Sequence, residues 1–155
     1  MTDNDFKRQA SAIMQVVRPF LSKGQMAAMT EGARGEERAF FLKALIDVSE
    51  QIARMPKTYE QDGKGDQAVA HLHYFFRGSD WYITEKDMED GVTQAYGYAV
   101  INGDDDMAEC GYINIAEIVS AGAELDLYFT PQTLAEIKAK REEAAEAAIW
   151  ARPGP

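Results

Sequence analysis

The two histidines of the chain, His71 and His73, are the first residues whose spacing points to chemistry. In a β-strand, residues two apart lie on the same face of the sheet. Two imidazoles on one face can begin a metal site, which Asp or Glu side chains would complete. We therefore keep open a metal-dependent enzyme centred on this pair, for which the spacing identifies no third ligand.

Two runs of carboxylates follow in segments rich in turn-forming residues. The first acidic run consists of Asp87, Glu89 and Asp90, and the second acidic run of Asp104, Asp105, Asp106 and Glu109. Closely spaced oxygen ligands can hold Ca²⁺ or Mg²⁺. The second run does not follow the EF-hand order, since Gly103 precedes the aspartates and the twelfth position counted from Asp104 is Ile115. We therefore predict hydrated loops here, with no resident metal and no other cofactor.

Sequence motifs for nucleophilic or phosphate chemistry are missing from the chain. It has no serine nucleophile elbow, no Cys–His signature and no phosphate-binding loop. The single cysteine, Cys110, follows Glu109, and a neighbouring carboxylate raises the pKa of a thiol and makes the thiol less reactive. Glu85 and Glu109 would form an acid–base pair only if the fold brought them together. These observations favour a protein that is not an enzyme.

Negative charge is concentrated in the central part of the chain. The formal net charge is -10, from 26 acidic and 16 basic residues. Residues 61–130 hold fourteen acidic and three basic side chains, whereas residues 1–60 hold eight acidic and nine basic ones. A strongly negative region repels DNA and RNA and attracts basic partners. We predict a basic protein partner and no direct binding of nucleic acid; improved solubility is the alternative explanation.

Strand-forming segments occupy this central region and must position the charged side chains. Aromatic and β-branched residues alternate there with turn-forming residues, which predicts about five strands. The segments are 68–76, 81–85, 95–101, 110–115 and 125–129. Because the connections are short, the pairing is predicted to be mostly antiparallel.

Helical patterns flank the strands on both sides. An apolar stripe runs from Phe41 to Met55 at helical spacing, and Pro56 ends that helix. An earlier helix ends near Val17, just before Pro19. The residues Thr130 and Pro131 predict the cap and the first position of a C-terminal helix.

The predicted fold is therefore α+β, with two parts joined by a polar linker over 57–67. Residues 1–60 form a helical N-terminal subdomain, and residues 68–150 form an acidic α+β domain. In that domain a small, mostly antiparallel sheet is packed by the C-terminal helix. One helix covers one sheet face, so the other face is expected to be partly solvated.

Three short motifs follow one another between residues 68 and 137. They are Trp-x-x-x-Glu from Trp81 to Glu85, Glu-x-Gly-Tyr from Glu109 to Tyr112, and an ending with Asp126, Phe129 and Pro131. In this order they resemble a bacterial domain family of unknown function that is common on plasmids, phages and integrative elements. The resemblance implies a shared fold and a mobile-element setting, and it implies no known reaction.

Charge and resemblance together predict a non-enzymatic binding protein of a mobile genetic element. It would antagonise host defence, as an anti-restriction or anti-CRISPR protein that mimics DNA phosphates on the basic surface of a nuclease or another nucleic-acid-binding protein. Both acidic runs are predicted contacts, with Trp81 as an aromatic anchor. One cysteine suits a reducing cytoplasm, and no apolar run is long enough for a membrane span. A self-associating structural module, built on the Phe41–Met55 stripe or the last helix, is a further alternative.

Overall fold

A computed structural model describes residues 2–32 and 34–151 and confirms the α+β fold. Within these ranges the helices are α1 (Asp3–Val17), α2 (Lys23–Gly32), α3 (Arg38–Arg54), α4 (Ile115–Ala121) and α5 (Leu134–Trp150). The strands are β1 (Val69–Ala70), β2 (Leu72–Phe76), β3 (Ser79–Glu85), β4 (Ala95–Val100), β5 (Glu109–Ile113), β6 (Glu124–Leu125) and β7 (Gln132–Thr133). None of the helices in this part of the chain is long and apolar enough to cross a membrane.

Five strands form one antiparallel sheet, as predicted. Their order is β5-β4-β3-β2-β6, and β1 pairs with β7 in a separate ladder. Cross-strand pairs define the two faces of the sheet, because directly paired residues lie on the same face. Leu72 pairs with Ile83 on one face. Tyr82 pairs with both His73 and Tyr98 on the other face.

The face that carries Leu72 and Ile83 is covered by the N-terminal helices, so the expectation of a partly solvated face was wrong. Val17 and Leu45 are buried in one core with these strand residues. The hydroxyl of Tyr74 donates a hydrogen bond to the carbonyl of Phe20 across this contact, at 2.6 Å. The apolar stripes of α1 and α3 need a partner surface, and this sheet face provides it. The helical region and the strands therefore share one core.

The opposite face is covered by the C-terminal helix, as predicted. Leu134 and Ile137 of α5 are buried in a second core with Tyr82, Tyr98 and Val100. We refer to this side of the sheet as the α5 face.

The start of α5 differs from the prediction. Its cap is Thr133, whose hydroxyl accepts the backbone N–H of Glu136, while the Glu136 carboxylate accepts the backbone N–H of Thr133. Residues 132–133 are extended because they pair with β1, so Thr130 and Pro131 lie before the helix rather than in it. The strand predicted over 125–129 is also shorter, since only Glu124–Leu125 pairs with β2.

Candidate functional site

The second acidic run lies in the β4–β5 loop and at the start of β5, and all four of its side chains are exposed. Asp104 caps a short 3-10 turn by accepting the backbone N–H of Met107 at 3.3 Å. Asp105 is paired with Arg141 of α5, whose Nε lies 2.7 Å from the carboxylate. Among the described residues, Asp106 and Glu109 have no hydrogen-bond or ion-pair partner. The carboxylates of Asp104 and Asp105 thus stabilise the loop, whereas those of Asp106 and Glu109 contact only solvent.

The first acidic run lies in the β3–β4 loop, where its aspartates organise the backbone. Asp87 accepts the N–H groups of Glu89 and Asp90. Asp90 accepts bonds from the hydroxyl and backbone N–H of Thr93 and from the N–H of Val92, and these bonds lower its pKa to about 2. Glu89 is exposed.

The structure does not bring the two acidic runs together. Because β3, β4 and β5 are antiparallel neighbours, the loop before β4 and the loop after it lie at opposite ends of the sheet. The length of β4 separates them by about 20 Å. One compact partner surface therefore meets one run or the other.

Trp81 does not lie in either acidic loop. It pairs with Tyr74 and Ala99 in the sheet and packs, half-buried, against the core under the N-terminal helices. The ring is therefore part of the interior packing, and it presents little surface for an aromatic anchor.

His73 is held between two carboxylates. Its Nε2 lies 2.7 Å from Asp80 and its Nδ1 lies 3.1 Å from Asp126, while the ring stacks on Tyr82 at 4.6 Å. Asp80 is also bonded to Arg141, at 3.1 Å. Burial raises the pKa of Asp80, but the bonds from His73 and Arg141 outweigh it, so the pKa is lowered overall.

The two candidate metal ligands, His71 and His73, have different surroundings in the structure. His71 lies outside β2, and burial, followed by the positive charge of Arg54, lowers its pKa. His73 already has two carboxylate partners. Within residues 2–32 and 34–151 there is no group of three or more His, Cys, Asp or Glu side chains that could hold a metal ion.

A cavity of about 530 Å³ lies on the α5 face, and none of the sequence patterns above predicts it. Its wall contains an acidic side chain that is only 4% exposed, Glu85. The remaining lining residues are Thr58, Tyr59, Gln61, Asp62, Gly63, Gly65, Ala68, Thr84, Tyr96, Cys110, Tyr112 and Leu134. This volume and mixed lining are typical of a site for a small ligand or for one side chain of a partner.

A β-bulge places Glu85 in this cavity. The pairing of β3 with β4 shifts between Ile83 and Glu85, so that Glu85 pairs with Tyr96, which in turn pairs with Tyr112. Without the extra residue, Glu85 would alternate onto the same face as Ile83, because strand residues two apart share a face. The bulge therefore aligns one carboxylate and two tyrosines across three neighbouring strands.

The segment predicted as a linker forms the opposite wall of the cavity. The side chain of Gln61 donates to the carbonyls of Val69 and Thr84, and its backbone N–H donates to Glu85 at 3.2 Å. Thr58 is buried and bonds to the carbonyls of Lys86 and Gln94. Its polar residues and glycines are typical of a solvated linker, and only the tertiary contacts show that the segment packs against the sheet instead.

Neither acid–base nor thiol chemistry is favoured by the positions of the remaining candidates. Glu109 pairs with Ala99, three residues along β4 from the partner of Glu85, so the two carboxylates are not neighbours. Burial raises the pKa of the Cys110 thiol, which keeps it protonated and weakly nucleophilic at neutral pH.

Comparisons with known proteins leave the function to be argued from this geometry. A scan against protein-family models, a search of curated proteins and a search of solved structures each found no match. The resemblance of residues 68–137 to a mobile-element domain family therefore stays a prediction.

Proposed function

We propose that this chain is a non-enzymatic binding protein that docks the second acidic run on a basic surface of another protein. The observation that carries the proposal is the pair of exposed carboxylates, Asp106 and Glu109, which have no partner within the described part of the chain. Unpaired surface carboxylates attract basic partners over several ångströms and speed their association.

Contacts within the chain hold the loop that carries Asp106 and leads to Glu109. Arg141 anchors Asp105 to α5, and Asp104 caps the 3-10 turn. The backbone N–H of Asn102 donates to the hydroxyl of Ser79, which ties the loop to the neighbouring turn. A loop that is already ordered loses little conformational entropy on binding, which favours affinity.

The proposed partner is a nuclease or another protein with a nucleic-acid-binding groove. Such grooves are lined by Lys and Arg side chains, and closely spaced carboxylates resemble the phosphates that those side chains bind. With the mobile-element resemblance, this supports a role in the cytoplasm as an antagonist of host restriction or CRISPR enzymes.

Two matched charge reversals test the proposal. The variant Asp106→Lys/Glu109→Lys changes the second acidic run, while Glu89→Lys/Glu117→Lys makes the same charge change with exposed residues near the other end of the sheet. Tagged protein would be incubated with host lysate at low and high salt, and retained proteins would be identified by mass spectrometry. We expect one set of basic proteins that the wild type and the Glu89/Glu117 variant retain at low salt and the Asp106/Glu109 variant loses.

A second experiment tests inhibition, using the partner protein identified by mass spectrometry. The wild-type protein should inhibit its nucleic-acid binding or cleavage, and inhibition should weaken with salt. Equal retention by both variants would show that the second acidic run is not the docking surface. Retention without any effect on nucleic-acid binding would contradict antagonism.

A further inference from the structure

We propose that the cavity beside Glu85 binds an organic cation, an alkylammonium or guanidinium group, between the Glu85 carboxylate and the rings of Tyr96 and Tyr112. The site uses no residue of the second acidic run, so it is independent of the docking surface proposed above. Such a cation is either a free amine or a Lys or Arg side chain of a peptide.

The charge of the cavity favours a cation. Glu85 and Asp62 are in its wall, and no Lys or Arg is among the described residues that line it. Glu85 accepts hydrogen bonds from the N–H of Gln61 and the hydroxyl of Thr84, each at 3.2 Å. A carboxylate has about four acceptor positions, so two remain for a ligand. A buried carboxylate with free acceptor positions gains most from a ligand that brings a positive charge.

Aromatic rings supply the second part of the site. Tyr96 and Tyr112 meet edge to face, with ring centroids 5.7 Å apart. The hydroxyl of Tyr112 lies 2.6 Å from that of Tyr59 on the opposite wall. A cation is attracted to the negative face of an aromatic ring, and rings combined with a carboxylate bind ammonium groups in many proteins.

The same sheet face already holds one cation in this manner. The ammonium group of Lys138 lies 4.9 Å from the ring centroid of Tyr98 and 2.7 Å from the carboxylate of Asp66. Tyr98 lies next to the cavity, two residues after Tyr96 on the same face of β4. The contacts of Lys138 show that a tyrosine and a carboxylate on the α5 face can bind one cation together. The cavity has the same two kinds of group, and no Lys or Arg among its described lining residues occupies them.

Two unusual backbone features meet at the cavity. The bulge re-aims Glu85, and Tyr59 adopts a φ of 80°, a conformation that bulky residues rarely take. Both features direct a side chain into the cavity wall. Strained backbone conformations are common at binding sites, where they hold a functional side chain in position.

Binding would be measured with defined probes on the full chain by calorimetry or NMR titration. The free probe is butylammonium, with 1-butanol as its uncharged counterpart. The peptide probe is Gly-Gly-Lys-Gly-Gly with blocked ends, compared with the same peptide carrying norleucine. We expect at least one cationic probe to bind at millimolar concentration or below, and neither uncharged probe to compete. Stronger binding of the peptide identifies a basic side chain as the ligand, and stronger binding of butylammonium identifies a free amine.

The variant Glu85→Gln should weaken binding of the cationic probe by roughly tenfold or more, because it removes the charge and keeps the shape. Glu117→Gln removes an exposed carboxylate outside both the cavity and the second acidic run, and it should leave the affinity unchanged. Tyr96→Leu tests the ring separately, and thermal unfolding shows whether each variant remains folded. If Glu85→Gln does not fold, occupancy of the cavity can be tested in the wild type, because Cys110 lines it: excess maleimide at raised pH, where more of the thiol is ionised, should label Cys110 more slowly when the cationic probe is bound.

Two results would overturn the site. One is the absence of binding by either cationic probe, together with no protection of Cys110. The other is binding that folded Glu85→Gln and Tyr96→Leu variants retain in full. Both results leave the docking proposal intact, since that proposal depends on Asp106 and Glu109.

Discussion

Arg141 of the last helix donates a hydrogen bond from Nε to Asp105 of the β4–β5 loop at 2.7 Å. The same guanidinium group also donates to Asp80 and to the hydroxyl of Tyr82. One side chain thus connects α5, the centre of the sheet and the loop that we propose as a docking surface.

Replacing Arg141 should loosen all three connections. We expect Arg141→Gln to lower the free energy of unfolding by about 2 kcal/mol, because it leaves the half-buried Asp80 with one fewer partner. Urea unfolding measures the stability, and amide hydrogen exchange over 104–107 measures the order of the loop. Lys140→Gln is the matched control, since Lys140 is exposed on the same helix. Equal effects of the two substitutions would contradict the anchoring role.

The lowered pKa of Asp80 predicts a pH dependence of stability. A carboxyl group whose pKa is lower in the folded state stabilises the protein above its unfolded pKa, near 3.8, and loses that contribution as the pH falls through the folded value. Wild-type stability should therefore drop more steeply below about pH 5 than that of Asp80→Asn.

Chemical denaturation between pH 3 and pH 7 would be compared for the wild type, Asp80→Asn and Asp106→Asn. Asp106 has no partner in the described part of the chain, so its substitution should leave the pH profile nearly unchanged. Parallel profiles for the wild type and Asp80→Asn would show that Asp80 does not contribute.

Gly97 is needed for the bulge that places Glu85. A Cβ atom at Gly97 would clash with the backbone carbonyl oxygen of Tyr82, which cannot move without disturbing the pairing of β3 and β4. We expect Gly97→Ala to destabilise the protein by about 3 kcal/mol. Gly111 pairs directly with Gly97 and has open space at its own Cβ position, so Gly111→Ala should cost less than about 1 kcal/mol. Thermal unfolding of both variants gives the comparison, and similar losses would argue against the clash.

The position of the last helix cap can be tested with two threonines. Thr133→Ala should cost about 1 kcal/mol, because it removes the hydroxyl that accepts the backbone N–H of Glu136 and donates to the Glu136 carboxylate. Thr130→Ala should change the stability by less than about 0.5 kcal/mol, since Thr130 is exposed before the helix. Urea unfolding distinguishes them; a larger loss for Thr130→Ala would place the cap where the sequence alone suggested.

Local patterns were enough to predict the main elements of the fold. The stripe from Phe41 to Met55 forms α3 and faces the core, because helical periodicity reflects burial directly. The β3, β4 and β5 segments were also found, since aromatic and β-branched residues mark half-buried strands. The cap of α5 was misplaced because pairing of residues 132–133 with β1 depends on a partner more than sixty positions away.

The candidate sites were less predictable because they depend on register. The bulge beside Glu85 turns that side chain to the α5 face, whereas strict strand alternation predicts the opposite face. Apart from Gly97, no local sequence feature indicates the bulge. The separation of the two acidic runs follows from antiparallel neighbours and was implicit in the predicted strands. The role of Gln61 could not be predicted, because nothing in the sequence distinguishes a buried amide that bonds to the backbone of Val69 and Thr84 from any other polar residue.

The strand order leaves β5 with a neighbour on one side only among the described strands. Its outer N–H and C=O groups form a template on which the sheet of another copy can extend. A second copy arriving there meets the carboxylate of Glu109 on the strand and that of Asp106 beside it, and like charges repel. We therefore expect the acidic end to oppose edge-to-edge aggregation, and added salt, which screens that repulsion, should increase self-association in sedimentation experiments.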